Sequence, residues 1–88
     1  MKLKYEFVVM DMGDELSAVP VGDDTFHGIL KLNKSGAEIL EQLKEETTPE
    51  KVHLYLKEKY PDSTDKEIGE NLVGFLNYLL KEGVLVGP

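Results

Sequence analysis

The sequence predicts an α+β domain in which a three-stranded antiparallel sheet is followed by three helices. Two observations support this order. Residues 1–32 form short segments rich in Val and Gly with turn signals between them, whereas residues 33–83 carry helical periodicity and clear capping residues. The length of 88 residues fits one domain, residues 1–88.

Three short apolar runs predict the strands. They are Tyr5–Met10, Leu16–Val21 and Thr25–Leu32. Met12–Asp14 is typical of a tight turn, and Gly22–Asp24 separates the second run from the third. Links this short favour antiparallel neighbours, so the runs predict a meander.

The first two helices are predicted from their ends. Asn33 follows the third strand and is a good cap for a helix that runs to about Glu45. Thr48 and Pro49 then give a hydroxyl cap with proline at the first helical position. Pro61 ends this second helix, because the residue before a proline avoids the helical region.

The third helix has the clearest signals. Thr64 and Glu67 form a capping-box pattern at its start, and Gly83 is placed to terminate it. Val84–Val86 is predicted to be a short extended tail that covers part of the core. With short links throughout, we expect the three helices to pack closely together.

Composition excludes several classes of protein. The formal net charge is −7, from 17 acids and 10 bases, and no arginine is present, which disfavours a nucleic-acid partner. Without cysteine, the chain forms no disulfide, thiolate zinc site or iron–sulfur cluster. No run of about 20 apolar residues and no secretory signal is found, so we expect no membrane association and a cytoplasmic protein.

The sequence contains no pattern of catalytic residues. The two histidines, His27 and His53, have no partner at metal-ligand spacing, and no glycine-rich phosphate loop is present. Paired acids such as Glu45-Glu46 stand where solvated side chains are the simpler explanation. We therefore expect a protein that is not an enzyme and that needs no cofactor or metal.

The third helix has a wider apolar arc than a simple surface helix needs. One stripe is suited to a core, and a second lies beside it, which together cover about 160° where about 100° is usual. The first stripe is Ile68, Leu72, Phe75 and Leu79, and the second is Gly69, Val73, Leu76 and Leu80. Two interpretations stay open: both stripes are buried, or the second lines a groove for a partner's apolar side chains.

The third predicted strand lies at the edge of the meander. Its alternation puts Leu30 and Leu32 on one side and Ile29 and Lys31 on the other. The unpaired backbone groups of such an edge can receive an added strand, including one from a second copy of the chain. The alternatives are an edge that is protected by Lys31 or covered by the tail at Val84–Val86.

Three stretches of the sequence match, in order and spacing, the signatures of a known protein family. Leu32–Glu41 is similar to the "L-N-x-x-G-A-x-I-L/W-E" signature that opens the first helix of this family. Thr48–Val52, with Leu56 and Tyr60, resembles the second helix. Asn71–Leu76, with Leu79, Gly83, Val84 and Leu85, resembles the "D-V-x-x-F-L-x-x-L-x-x-x-G-L-L" ending, although Asn71 stands where the family often has Asp.

Together these stretches resemble the PqqD-like family of precursor-peptide recognition proteins. The resemblance implies a winged helix-turn-helix fold and a peptide chaperone without a cofactor. Members bind the leader of a ribosomally made precursor peptide, which adds to the third strand and lies against the third helix. They present it to a modifying enzyme, often a radical S-adenosylmethionine maturase. The implied peptide-binding residues are Phe26, His27, Gly28, Ile29, Leu30 and Lys31 of the strand and Gly69, Val73, Leu76 and Leu80 of the helix.

Other functions remain as alternatives. A winged helix-turn-helix also binds DNA in some proteins, but the third helix here carries more acids than bases. A structural domain that binds a folded partner would use the same apolar groove. The sequence leaves open whether the pathway makes pyrroloquinoline quinone or another peptide product.

Overall fold

A three-stranded sheet precedes three helices in the computed structural model, which describes residues 1–11, 13–21 and 28–86. In chain order the elements are β1 (Lys2–Leu3), β2 (Phe7–Asp11), β3 (Leu16–Pro20), β4 (Leu30–Leu32), α1 (Lys34–Gln42), α2 (Pro49–Lys59), α3 (Asp65–Glu82) and β5 (Leu85–Val86). The main sheet has the antiparallel order β2–β3–β4. The predicted α+β class is confirmed.

The register of the sheet fixes which backbone groups of β3 face each neighbour. Val21 N–H donates to the Glu6 carbonyl at 3.0 Å, in the same register as the β2–β3 ladder. In an antiparallel ladder, opposed residues alternate between hydrogen-bonded and non-hydrogen-bonded pairs. The odd-numbered residues of β3 therefore bond to β2, and its even-numbered residues face β4.

Pro20 explains why β4 is shorter than the predicted third strand. The β3–β4 register, continued by two residues, places Pro20 opposite Gly28. Pro20 is even-numbered, so its missing N–H is on the side that faces β4, and the ladder begins only at Leu30. The predicted residues 25–27 lie outside the described residues, while Gly28 and Ile29 precede the paired strand.

The helix ends follow the predicted capping residues. Asn33, Thr48 and Thr64 are N-caps whose side chains accept backbone N–H groups, and Thr64 forms the full capping box with Glu67. Gly83 ends α3 with φ 74°, the left-handed conformation that glycine adopts at no steric cost. α1 ends at Gln42, three residues before the predicted Glu45.

A second small sheet joins the two ends of the described chain. Lys2–Leu3 pairs with Leu85–Val86, and Lys4 N–H donates to the Val84 carbonyl at 2.8 Å. Leu3 and Leu85 are both buried. The tail therefore closes the core beside β1, and the suggestion that it covers the edge of the third strand is wrong.

The core lies between the inner face of the main sheet and the helices. Leu30 is fully buried and Leu32 is 9% exposed, as the predicted alternation requires. In α3 the four buried side chains are Ile68, Leu72, Leu76 and Leu79. No helix among the described residues is both long and apolar enough to cross a membrane.

Candidate functional site

The outer edge of β4 carries backbone groups that pair with no other strand among residues 1–11, 13–21 and 28–86. Because Leu30 and Leu32 bond to β3, the N–H and C=O groups of Ile29 and Lys31 point away from the sheet. No strand in the described ranges pairs with this edge. The Ile29 side chain is 62% exposed and Lys31 is also exposed, so this edge is open to solvent.

The start of α1 ties this edge to α3. Asn33 directly follows β4, and its Oδ1 accepts the Gly36 N–H at 2.7 Å. A Cβ atom on Gly36 would lie 2.9 Å from Cε1 of Phe75, closer than side chains tolerate. The glycine of the first-helix signature thus lets the Phe75 ring pack on the first turn of α1, which brings α3 beside the end of β4.

A groove with a volume of about 240 Å³ opens at this junction. The rings of Phe75 and Tyr78 are half-buried, with centroids 6.0 Å apart and planes inclined at 43°. We call the face that bears Gly74, Phe75 and Tyr78 the aromatic flank of α3. The groove is lined by Asn33, Ser35, Gly36, Ile39, Glu70, Asn71, Gly74, Phe75 and Tyr78.

A neighbouring cavity of about 380 Å³ shares Asn33 and Ser35 and continues towards the end of α2. Near it, the Tyr60 hydroxyl donates to the Glu38 carboxylate, which raises the pKa of Tyr60 to about 12. Lys59 Nζ lies 3.4 Å from the same carboxylate, and this hydrogen bond raises the pKa of Lys59.

Glu67 is held in its charged form at the rim of this cavity. Hydrogen bonds from the Thr64 backbone and hydroxyl, each 3.0 Å, lower the pKa of Glu67. Tyr60, Lys59 and Glu67 therefore keep a constant charge around neutral pH and are poor proton-transfer groups. Within the part of the chain that the structure describes, no three His, Cys, Asp or Glu side chains are grouped to hold a metal ion.

The helix residues predicted from the second stripe lie elsewhere. Gly69 and Val73 line a different apolar cavity, against Pro49, His53 and Leu54 of α2. At about 100° per residue, Val73 and Tyr78 are about 140° apart around the helix. We call the face that bears Gly69, Val73 and Leu80 the α2 flank of α3.

The structure thus separates residues that the sequence placed in one groove. Leu76 is only 9% exposed and belongs to the core, which favours the alternative that this part of the second stripe is buried; its role as a peptide contact stays a prediction. Val73 and Leu80 are 58% and 52% exposed, but on the α2 flank, away from the end of β4. A role for Gly69, Val73 and Leu80 as peptide contacts is an untested prediction from the sequence, and their position on the α2 flank disfavours it.

The structure describes only some of the peptide-binding residues that were predicted in the third strand. Phe26 and His27 lie outside the described residues. Gly28, Ile29 and Lys31 are placed along the open edge, whereas the buried Leu30 side chain leaves only backbone near a partner. Their role in peptide binding is a prediction.

Sequence reasoning missed Gly74 and Tyr78, and it assigned Phe75 only to the core. One signal was present: Gly74 is one of two glycines in α3, a residue that is unfavourable in a helix interior. A glycine near the middle of a helix needs a reason, and neither a turn nor a cap supplies one at this position.

Comparisons with known proteins agree with this architecture. The family model described as "Coenzyme PQQ synthesis protein D (PqqD)" matches residues 6–85 of the chain. The fold is similar to that of the solved structure "TbiB1 in Complex with the TbiA(beta) Leader Peptide", with a TM-score of 0.75 and 22% sequence identity. The match covers 100% of this chain and 98% of that one. No curated protein matches the chain.

Proposed function

The chain belongs to the family of coenzyme PQQ synthesis protein D, and from that premise we propose that it is a non-catalytic chaperone for a ribosomally made precursor peptide. It binds the leader of the precursor by strand addition to β4 and presents it to a modifying enzyme. The observation that carries the proposal is the unpaired edge of β4 beside the aromatic flank of α3. The leader peptide held by the similar TbiB1 protein supports it.

Strand addition uses the outward backbone groups of Ile29 and Lys31. Each residue offers one N–H and one C=O, so an added strand forms up to four hydrogen bonds at about 0.5–1.5 kcal/mol each. These bonds are independent of the peptide's side chains. They provide affinity for an extended chain, and selectivity has to come from neighbouring side-chain pockets.

The groove beside the edge provides such a pocket. In an added strand, residues opposite Leu30 and Leu32 point to the same face as these two leucines, which is the face that the helices cover. A side chain at the end of β4 therefore points towards Phe75 and Tyr78. Burying one large apolar side chain there contributes about 1.5–3 kcal/mol.

Charge along β4 and the start of α1 favours acidic residues in the peptide, whereas Glu70, which lines the groove, disfavours an acid inside the groove itself. Residues 28–37 contain Lys31 and Lys34 and no acid, in a chain whose net charge is −7. Both lysines are exposed, so each contributes at most about 1 kcal/mol to affinity. Their larger effect is on the rate at which an acidic leader associates, and this effect weakens with added salt.

The partner enzyme is the finer part of the proposal. None of the described residues brings a catalytic group to the β4 edge, so we infer that a second protein carries out the chemistry. The family resemblance favours a radical S-adenosylmethionine maturase over other peptide-modifying enzymes. We place the complex in the cytoplasm, where ribosomal precursors are made.

The α2 flank supports a second candidate function. Leu54 is 66% exposed and lies in the same apolar cavity as Val73, so this face suits a folded protein partner. A purely structural interaction domain would use this face and leave β4 unoccupied. A pairing of β4 with a second copy of the chain is the remaining alternative for the edge.

An NMR titration of the ¹⁵N-labelled protein distinguishes peptide binding at β4 from the binding of a partner at the α2 flank. The probe is the leader of a short precursor encoded beside the chain's own gene, or, where no such reading frame exists, a peptide selected from a random display library. We expect shifts at the amides of Ile29 and Lys31 and along the aromatic flank. Shifts confined to Leu54, Val73 and Leu80 would support the structural interaction domain instead.

Two further measurements complete the test. Sedimentation without peptide separates a monomer with an open edge from a dimer that occupies it. A labelled DNA duplex, added at moderate salt, should leave the spectrum unchanged because the chain is acidic and has no arginine. Failure of every peptide to bind, with the fold intact, would refute the proposed function.

A further inference from the structure

Gly74 is a helix-interior glycine that no packing contact among the described residues requires. It lies near the middle of the 18-residue helix α3. Its φ is not positive, unlike that of Gly13 and Gly83, so the backbone there suits any residue. A helical glycine is less stable than alanine by about 0.5–1 kcal/mol. This position therefore lowers stability without an internal structural reason.

The space around Gly74 differs from that around Gly36 and Gly69, the two glycines that pack against another helix. A Cβ atom on Gly74 would meet nothing within 4 Å. On Gly36 it would clash with Phe75, and on Gly69 it would make an ordinary contact, 3.8 Å from the His53 ring. Gly36 is explained by packing, whereas the space above Gly74 is open.

That open space is part of the groove at the end of β4. Gly74 lines it together with the Phe75 and Tyr78 rings and with Asn33, the residue that follows β4. The groove holds about 240 Å³, less than the roughly 300–1,000 Å³ of a small-molecule site. Its size suits one side chain of a strand that continues along the edge.

We infer that Gly74 forms the floor of a subsite for one large apolar side chain of the bound peptide, a branched aliphatic or aromatic residue. This inference rests on the proposed function and names the residue that sets its selectivity. The occupant is the inward-facing peptide residue nearest the junction of β4 and α1, because an added strand directs alternate side chains towards the helices.

Gly74→Ala tests the subsite because it moves stability and binding in opposite directions. Alanine removes the helix penalty, so Tm should rise by about 2–8 °C. The new methyl group occupies space that the peptide side chain needs, so Kd for the selected peptide should increase by about fivefold to 100-fold. Few structural explanations of a binding loss predict a more stable protein.

Gly69→Ala is the matched control. It removes a glycine from the same helix, five residues earlier, and should raise Tm similarly. Because Gly69 faces α2, peptide affinity should stay within about twofold of the wild-type value. Weaker binding in Gly69→Ala with no change in Gly74→Ala would assign the peptide to the α2 flank and overturn the inference.

A double-mutant cycle with the peptide identifies the occupant. The peptide is shortened to alanine at each inward-facing position and titrated against wild-type protein and Gly74→Ala. At the anchoring position the penalty of Gly74→Ala should disappear. If the wild-type protein binds peptide and no position shows this coupling, the subsite is refuted while the proposed function stands; if the wild-type protein binds no peptide, both are refuted.

Discussion

Proline at position 31 is a direct test of the backbone edge. The register of β3 and β4 directs the Lys31 N–H away from the sheet, so Lys31→Pro removes no hydrogen bond within the protein. The proline φ of about −65° is tolerated in an edge strand, and Leu30 before it is already extended. We therefore expect the variant to keep its fold, with Tm close to that of the wild type.

Binding should respond much more strongly than folding. With proline at position 31, a carbonyl of the added peptide strand loses the N–H bond from that residue, which contributes about 0.5–1.5 kcal/mol. Because this carbonyl is then left without a donor, the full cost to binding is about 1–3 kcal/mol. A loss of about 1–3 kcal/mol weakens Kd by about 5- to 140-fold. Lys31→Ala keeps the N–H and removes only an exposed charge, so its Kd should change by about fivefold at most.

Calorimetric titration of the selected peptide, with thermal melting followed by circular dichroism, measures both quantities. Leu30→Pro is the opposite control: it removes an N–H that bonds to β3, and it should lower Tm markedly. Equal peptide affinity of Lys31→Pro and Lys31→Ala would refute strand addition at β4. A low Tm for Lys31→Pro would instead show that the assigned register is wrong.

Three further predictions concern the packing and charge of the site. Gly36→Ala should lower the free energy of unfolding by about 1–3 kcal/mol in chemical denaturation, because the methyl group displaces the Phe75 ring. Tyr78→Ala should weaken peptide binding by about tenfold or more. Val73→Asp changes a 58% exposed position and should leave both Tm and Kd nearly unchanged. A larger loss of affinity in Val73→Asp than in Tyr78→Ala would assign the peptide to the α2 flank. The pKa of Tyr60 is raised from 10.0 to about 12, so its stabilising contribution is complete below pH 10 and is lost as the pH rises to about 12. The wild-type Tm should therefore fall more than that of Tyr60→Phe over this interval.

Local chemistry made the helix ends predictable. Asn33, Thr48 and Thr64 each accept a backbone N–H three residues away, so their effect is nearly independent of the rest of the fold. Gly83 ends α3 for a similar reason, because only glycine adopts a left-handed cap without strain. The predicted boundary at Glu45 was wrong because no comparable stop signal marks the end of α1.

The small β1–β5 sheet was missed because its strands have two residues each. Two residues cannot show an alternation of apolar and polar side chains, so periodicity carries no signal at Lys2–Leu3. The pairing brings together segments more than 80 residues apart. It is a consequence of the closure of the core and not of a local preference.

At the candidate site, too, the sequence predicted which side chains are buried but not which elements lie next to each other. Alternation along the third strand correctly placed Leu30 and Leu32 in the core and Lys31 at the surface. The helical period likewise identified Ile68, Leu72 and Leu79 as buried residues of α3, but it assigned the half-buried Phe75 to the core in place of Leu76. It did not decide which flank of α3 lies beside β4, and the prediction selected the flank that faces α2.

The amino-acid sequence by itself specifies where the helices begin, which helix faces are apolar and which family signature the chain matches. These properties depend on neighbours within one or two helical turns. Packing between distant elements decides the rest. The close approach of Gly36 and Phe75 brings the aromatic flank to the end of β4, and the terminal strands leave the β4 edge open. Such contacts join residues tens of positions apart. The angle at which two elements pack does not change the apolar periodicity of either one, so it cannot be predicted from that periodicity.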